Sequence, residues 1–378
     1  MRKRRVLLGI VGAVVLAAIG GAIWVLSLPP AQARTAPPPV AQAEVDAILA
    51  TLKPPKRGRP VIAIIGVNAG TEITDYLMPF GILRSADVAE VVALATEPGT
   101  VSLYPALKVQ PEATIAQFDE QYPEGADYVL VPAMYRDDDP AALQWIRSQA
   151  ASGAVIVGVC AGAKVVAEAG LLDGKRATTH WWYLDGMLKK HPDIKYVPDR
   201  RMVADQGVLT TTGVSASMPV SLTLIEAIAG RDKAEAVARS IGLPYWDARH
   251  DSSAFRFNRP FALTAMGNRL AFWNHEQLGM ELQPWVDEVS LALVADAWSR
   301  TFRSRVVTFA STADARRTRN GLLVVPDEVA TNWPAERQLP AVGDRPPAKA
   351  LDEGLLAIED RYGTATANFV AMQLEYPR

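Results

Sequence analysis

The chain of 378 residues holds one cysteine, Cys160, and small residues surround it: Gly158, Ala161, Gly162 and Ala163. A thiolate is a strong nucleophile and metal ligand, and a tight turn of small residues can push such a side chain out at a strand end. Val155 to Val159 reads as a short buried strand, and Ala161 to Ala169 as a helix closed by Gly170. Cys160 therefore falls on a strand-to-helix turn, the setting of a nucleophile elbow. The free N–H groups and positive dipole end of that helix predict a thiol pKa drawn downward. The plainer alternative is a buried cysteine acting as a small hydrophobe.

Two further residues complete a candidate catalytic set. His180 follows Cys160 and is expected at the end of a strand over 176–179. Asp75 lies in the first turn of the helix after the first strand, on the same sheet edge. An acid beside a thiol can share its proton or pass one to a reacting carbonyl.

The elements that must position these residues alternate along the chain. Strands are expected over 61–67, 91–95, 128–132, 155–159 and 208–211, with helices over 71–85, 141–150, 161–169 and 218–229. This pattern predicts a doubly wound, mostly parallel, flavodoxin-like α/β domain over residues 60–246, with its site at the carboxyl ends of the strands. Asp137 to Asp139 before Pro140 reads as a helix cap rather than a metal cluster. The histidines lack ligand spacing to one another or to a cysteine, so no metal is expected. No P-loop or dinucleotide fingerprint is present, so no cofactor is expected either. A net charge of -2 gives no electrostatic basis for nucleic-acid binding.

The ends of the chain carry separate expectations. Arg2 to Arg5 followed by an uncharged apolar run from Val6 to Leu28 predicts a transmembrane anchor over residues 1–30. The cations would stay cytoplasmic, so the protein is expected as a single-pass inner-membrane protein with a periplasmic globular part. The alternative is a cleaved signal peptide, since Ala31-Gln32-Ala33 fits a small-x-small pattern. Residues 31–59 read as a tether rich in Pro and Ala. Residues 247–378 read as a truncated second copy of the first domain, packed against it. Asp75 to Thr96 is echoed 212 positions later by Asp287 to Thr308, and Leu222 to Pro244 is echoed 133 positions later by Leu355 to Pro377. The copy omits the segment that corresponds to the elbow and His180. Its oligomeric consequences stay open.

Three tracts carry a resemblance: G-V-C-A-G-A at 158–163, A-T-T-H-W at 177–181, and V-L-T-T-T-G-V-S-A-S-M at 208–218. Together they resemble the ThiJ/PfpI superfamily, within the class I glutamine-amidotransferase-like fold. The second tract is most similar to the sensor-domain branch of AraC-like regulators, without their DNA-binding part. The resemblance implies that Cys160 is the reactive cysteine, His180 its neighbour, and Asp75 an acid hydrogen-bonded to the thiolate, with Glu72 the reserve for that acid if the loop register slips by one turn. It also implies a small-molecule substrate or ligand. Two readings follow: a cysteine-dependent hydrolase, lyase or deglycase-like enzyme acting on a small carbonyl or electrophilic compound, or a ligand- or oxidant-sensing module without turnover.

Overall fold

The computed structural model describes residues 16, 19–32, 35–54, 56–343 and 345–378. Its main sheet runs, from one edge to the other, through Met202–Asp205, Val208–Thr211, Val155–Gly158, Tyr128–Val131, Val61–Gly66, Glu90–Ala95 and Ala113–Thr114. Adjacent strands are parallel except the edge strand Met202–Asp205, which is antiparallel to Val208–Thr211.

Strand alternation divides the side chains between two apolar layers. Ile62, Ile64, Leu130 and Val157 face the layer containing helices Ile73–Ala86 and Ser217–Ala229. Val61, Ala63, Ile65, Val129 and Ile156 face the layer containing helices Pro140–Ala151 and Gly162–Glu168. Both faces are covered, which is why these strands are apolar throughout rather than alternating with polar residues. The acidic run does cap a helix: Asp139 accepts from Ala142 N at 3.0 Å, with Pro140 in the first turn.

The remainder builds a smaller parallel sheet of Glu276–Glu281, Ser304–Ala310 and Glu328–Val329. An antiparallel pairing of Lys108–Gln110 with Leu323–Val325 joins the two parts. The first apolar layer is continuous across them, taking in Leu278, Leu291, Val306, Leu355 and Val370. Helix Glu288–Ser299 lies on helix Ile73–Ala86 at Gly81, where a Cβ would sit 2.7 Å from Glu288 Oε1 and 2.8 Å from Val289 Cγ2.

The N-terminal expectation is corrected. Among the described residues no helix is long and apolar enough to cross a membrane. The transmembrane helix is thereby overturned, and with it the membrane partner and the inner-membrane, periplasmic placement. Residues 1–15, 17 and 18 of that run, and Ala33 of the expected cleavage pattern, lie outside the described residues. The end of the described helix over 19–27 is held by protein: Arg259 donates to Leu26 O at 2.7 Å and Leu28 O at 3.2 Å. The rings of Trp24 and Phe257 meet at 5.9 Å.

The tight approach at Gly81 makes a direct prediction. Gly81→Leu would gain intrinsic helix propensity but has no room, so overpacking is expected to destabilise the fold by about 1–3 kcal/mol. Because one apolar layer runs through both parts, near- and far-ultraviolet circular dichroism should melt together at a lowered Tm. An unchanged Tm would show that the helix pair is not packed this way.

Candidate active site

Cys160 follows strand Val155–Gly158, which lies between Tyr128–Val131 and Val208–Thr211. Its φ is +57°, a left-handed conformation that disfavours a side chain by roughly 1–2 kcal/mol. Gly162 explains how the chain closes this turn: a Cβ there would lie 1.9 Å from Val131 O of the neighbouring strand. Only glycine allows that approach. Helix Gly162–Glu168 then begins almost against the sheet.

The threonine tracts clamp the elbow. Cys160 N donates to Thr211 Oγ1 at 3.0 Å, and Thr179 Oγ1 donates to Cys160 O at 3.0 Å. Thr178 N donates to Thr210 Oγ1 at 2.9 Å, tying one tract to the other. These hydroxyls satisfy backbone groups that the strained turn leaves without sheet partners.

Asp75 is fully buried, and its Oδ2 accepts from Ala133 N at 3.1 Å. Its Oδ1 has no hydrogen-bond partner among the described residues. Burial first, and the Glu72 carboxylate second, push the Asp75 carboxyl well above its ordinary range, against smaller opposing effects of Ala133 N–H and Arg300. Burial beside another carboxylate thus favours the protonated form of Asp75. Glu72 caps the same helix: its Oε2 accepts from Asp75 N and Thr74 Oγ1, each at 2.7 Å. Its Oε1 accepts from Arg300 Nη2 at 2.8 Å. Arg300 in turn donates through Nε to Asp296 Oδ1 at 2.5 Å.

Cys160 is itself buried, and its thiol pKa lies well above the ordinary value. Burial is the main cause, followed by the charges of Asp75, Glu72 and Glu375; the Ala161 N–H opposes them. The expected lowering does not occur, because one short helix start is outweighed by desolvation and a surround of carboxyls.

His180 is not strand-terminal; the strand is only Arg176–Ala177, and His180 caps helix Trp181–Lys190. Its Nδ1 accepts from Trp182 N at 3.1 Å, so Nε2 carries the proton and donates to Gln373 O at 2.8 Å. Both ring nitrogens are thus occupied by backbone. Burial lowers its pKa, partly offset by Glu375 and the Gln373 carbonyl, leaving a neutral ring. Glu375 packs beside it, accepting from Trp181 N at 2.5 Å and Gly213 N at 2.7 Å. A cavity of about 540 Å³ opens next to this cluster, lined by Thr179, Trp181, His250, Phe255 and Glu375 but not by Cys160.

The DJ-1/PfpI family model matches residues 61–227, the segment that holds Asp75, Cys160 and His180. Residues 61–227 form a DJ-1/PfpI family domain. Among curated relatives, the chain is 41% identical over 101 residues to the isonitrile hydratase of Pseudomonas putida, a match covering 26% of this chain and 42% of that protein. It is 35% identical over 112 residues to the HTH-type transcriptional regulator CdhR of Pseudomonas aeruginosa, covering 30% of this chain and 33% of the regulator. The chain thus spans less than half the length of either relative. The solved DJ-1beta of Drosophila melanogaster aligns with 50% of this chain and 100% of its own at 23% identity, with a TM-score of 0.45.

Within the DJ-1/PfpI domain, Cys160 and Asp75 share one buried electrostatic environment, whereas His180 is spent on helix capping and the C-terminal tail. Sequence reasoning missed Thr179 and Thr211 as clamps, and Glu375, Arg300 and Asp296 as charges near the site. The i, i+4 spacing of Asp296 and Arg300 was a visible signal of pairing, but nothing local pointed to Glu72 as the third member.

The raised thiol predicts a pH dependence of stability. A native thiol that holds its proton beyond the unfolded value of about 8.5 contributes fully below that pH and loses its contribution as pH rises. Cys160→Ala is therefore expected to decline less steeply than wild type above about pH 8.5, gaining up to ~1.4 kcal/mol per pH unit in denaturant melts. Parallel declines of the two proteins would show that the thiol is not raised.

Proposed function

We propose that the DJ-1/PfpI domain is a cysteine-dependent enzyme acting on a small carbonyl or other electrophilic compound, with Cys160 as nucleophile and Asp75 as its acid. The observation that carries this reading is Asp75 Oδ1, a buried oxygen without a hydrogen-bond partner among the described residues, on a carboxyl that burial pushes up and whose field reaches the strained cysteine. Here one oxygen is held by Ala133 N–H, and the other is left for the thiol or an incoming group.

In the proposed step, Sγ bonds to the electrophilic carbon and the π pair of the C=X bond moves to X. Asp75 gives its proton to X and takes the thiol proton in return, so the pair ends as it began. With a 2-oxoaldehyde, a proton shift from the adduct carbon to its neighbour turns the hemithioacetal into a 2-hydroxy thioester, and water attack on the thioester carbonyl breaks the Sγ–C bond, returns a proton to sulfur and releases a 2-hydroxy acid. His180 has a positioning role in this scheme, through the helix it caps, and not a proton-transfer role. The 41% identity to an isonitrile hydratase supports an electrophile as the substrate class.

The second reading, a sensing module without turnover, draws on the raised thiol and the regulator among the relatives. Steady-state assays on a panel of small aldehydes, 2-oxoaldehydes and isonitriles separate the two. Multiple turnovers that vanish in Cys160→Ala and fall about 10²–10⁴-fold in Asp75→Asn are expected for the enzyme. At most one modification per chain, with no catalytic excess of product over protein, would overturn it in favour of the sensor.

A further inference from the structure

The pairing between the two parts of the chain is symmetric about one residue pair. Val109 faces Val324, and the flanking pairs are Lys108 with Val325 and Gln110 with Leu323. A shift of 215 residues carries Val109 onto Val324 and Lys108–Gln110 onto Leu323–Val325. The same shift carries strand Val61–Gly66 onto Glu276–Glu281, Ala113–Thr114 onto Glu328–Val329, and the start of helix Ile73–Ala86 onto the start of Glu288–Ser299. The three strands are parallel and in the same order in each part. Later, Gly230 and Gly363 join two helix pairs with matching φ of 86° and 88° and ψ of 167° and 160°. The structural equivalence therefore pairs Asp287 with Glu72, one helical turn from the sequence echo with Asp75. A three-residue slip keeps a helix face nearly unchanged, so the echo could not resolve it.

The two copies differ where chemistry is concerned. Asp75 becomes Ser290, and the elbow segment has no equivalent. Arg300 stands where the first copy has Ser85. The Arg300–Glu72 pair therefore crosses the local two-fold axis from the copy without an elbow to the copy with one and is not mirrored, since Ser85 stands at the mate's place; Lys108 crosses the other way, to Asp327 at 3.2 Å. Half-buried Arg300 keeps its positive charge because Asp296 and Glu72 outweigh its desolvation, and its guanidinium lies 5.7 Å from the Tyr104 ring centre.

We propose that residues 276–373 act as a covalently attached partner of the DJ-1/PfpI domain, and that Arg300 is the positioning residue this partner delivers, compensating Glu72 beside Asp75 and Cys160. The groups facing this centre are Glu72 and Asp75 from the first helix, Asp296 and Arg300 from the second copy, Tyr104, Tyr183 from helix Trp181–Lys190, neutral His180, and Glu375 from the tail. Without Arg300, the Glu72 charge acts on the thiol uncompensated.

The proposal rests on Cys160 being the reactive group, but its test needs no turnover. Iodoacetamide labelling of the full chain is followed against pH. Arg300→Met is expected to raise the labelling half-point by about one pH unit, the scale of one uncompensated charge at this range. Arg300→Lys should raise it less, and Glu72→Gln combined with Arg300→Met should remove the rise. Should Arg300→Met fail to fold, Glu72→Gln alone decides: with the Glu72 charge gone and Arg300 left in place the half-point is expected to fall, and an unchanged one overturns the proposal. A rise that persists undiminished in the double variant also overturns it. Absence of turnover alongside a shifted half-point removes the enzyme reading and leaves this one standing.

Discussion

The contact on which the site depends is the approach of Gly162 to the Val131 carbonyl. A methyl group there would lie 1.9 Å from that oxygen, so the helix after the elbow can start against the sheet only because residue 162 lacks a side chain. That approach forces the chain to reverse within two residues, and Cys160 absorbs the reversal at φ +57°. Left-handed backbone at a non-glycine residue persists only where its surroundings hold it. Here Thr179 and Thr211 do so, one at the carbonyl and one at the amide of the same residue. The threonines of the two recognisable tracts are therefore structural parts of the elbow.

Electrostatics sets the second constraint. Burying Asp75 near Glu72 would place two negative charges a helical turn apart in a medium that solvates them poorly. The fold eases this by pushing the Asp75 carboxyl pKa up and giving Glu72 a cation, Arg300. The same burial pushes the Cys160 thiol up, so both groups are biased towards holding their protons. His180, neutral and bonded through both nitrogens, adds rigidity rather than charge.

The C-terminal part enters that balance at two places, the Arg300 guanidinium on one side and the Gln373 to Glu375 tail on the other. Because it shares an apolar layer with the first domain, neither contact can be withdrawn without exposing core residues such as Leu291 and Val370. The three-stranded sheet of this part also lacks the central strands of the larger one. Its Gly279 face is covered instead by Trp333, whose ring stacks on Phe309 at a centroid distance of 5.3 Å.

Short-range pattern made much of this legible. The strand periods, the Asp139 cap, the glycines of the elbow and the threonine tracts are local signals, because backbone sterics and capping act over a few residues. They sufficed to place Cys160 on a turn and Asp75 at a helix start in an α/β domain. What local pattern could not decide was direction and solvation. Whether the His180 ring faces the thiol or the tail depends on residues nearly two hundred positions away. The pKa of Cys160 likewise depends on burial and on carboxyls brought in by packing, which outweigh the helix start beside it. The N-terminal run, read as a membrane span from hydropathy alone, ends in a described helix held by Arg259. Composition reports which solvent a segment could tolerate, but only the tertiary structure decides which neighbours replace it.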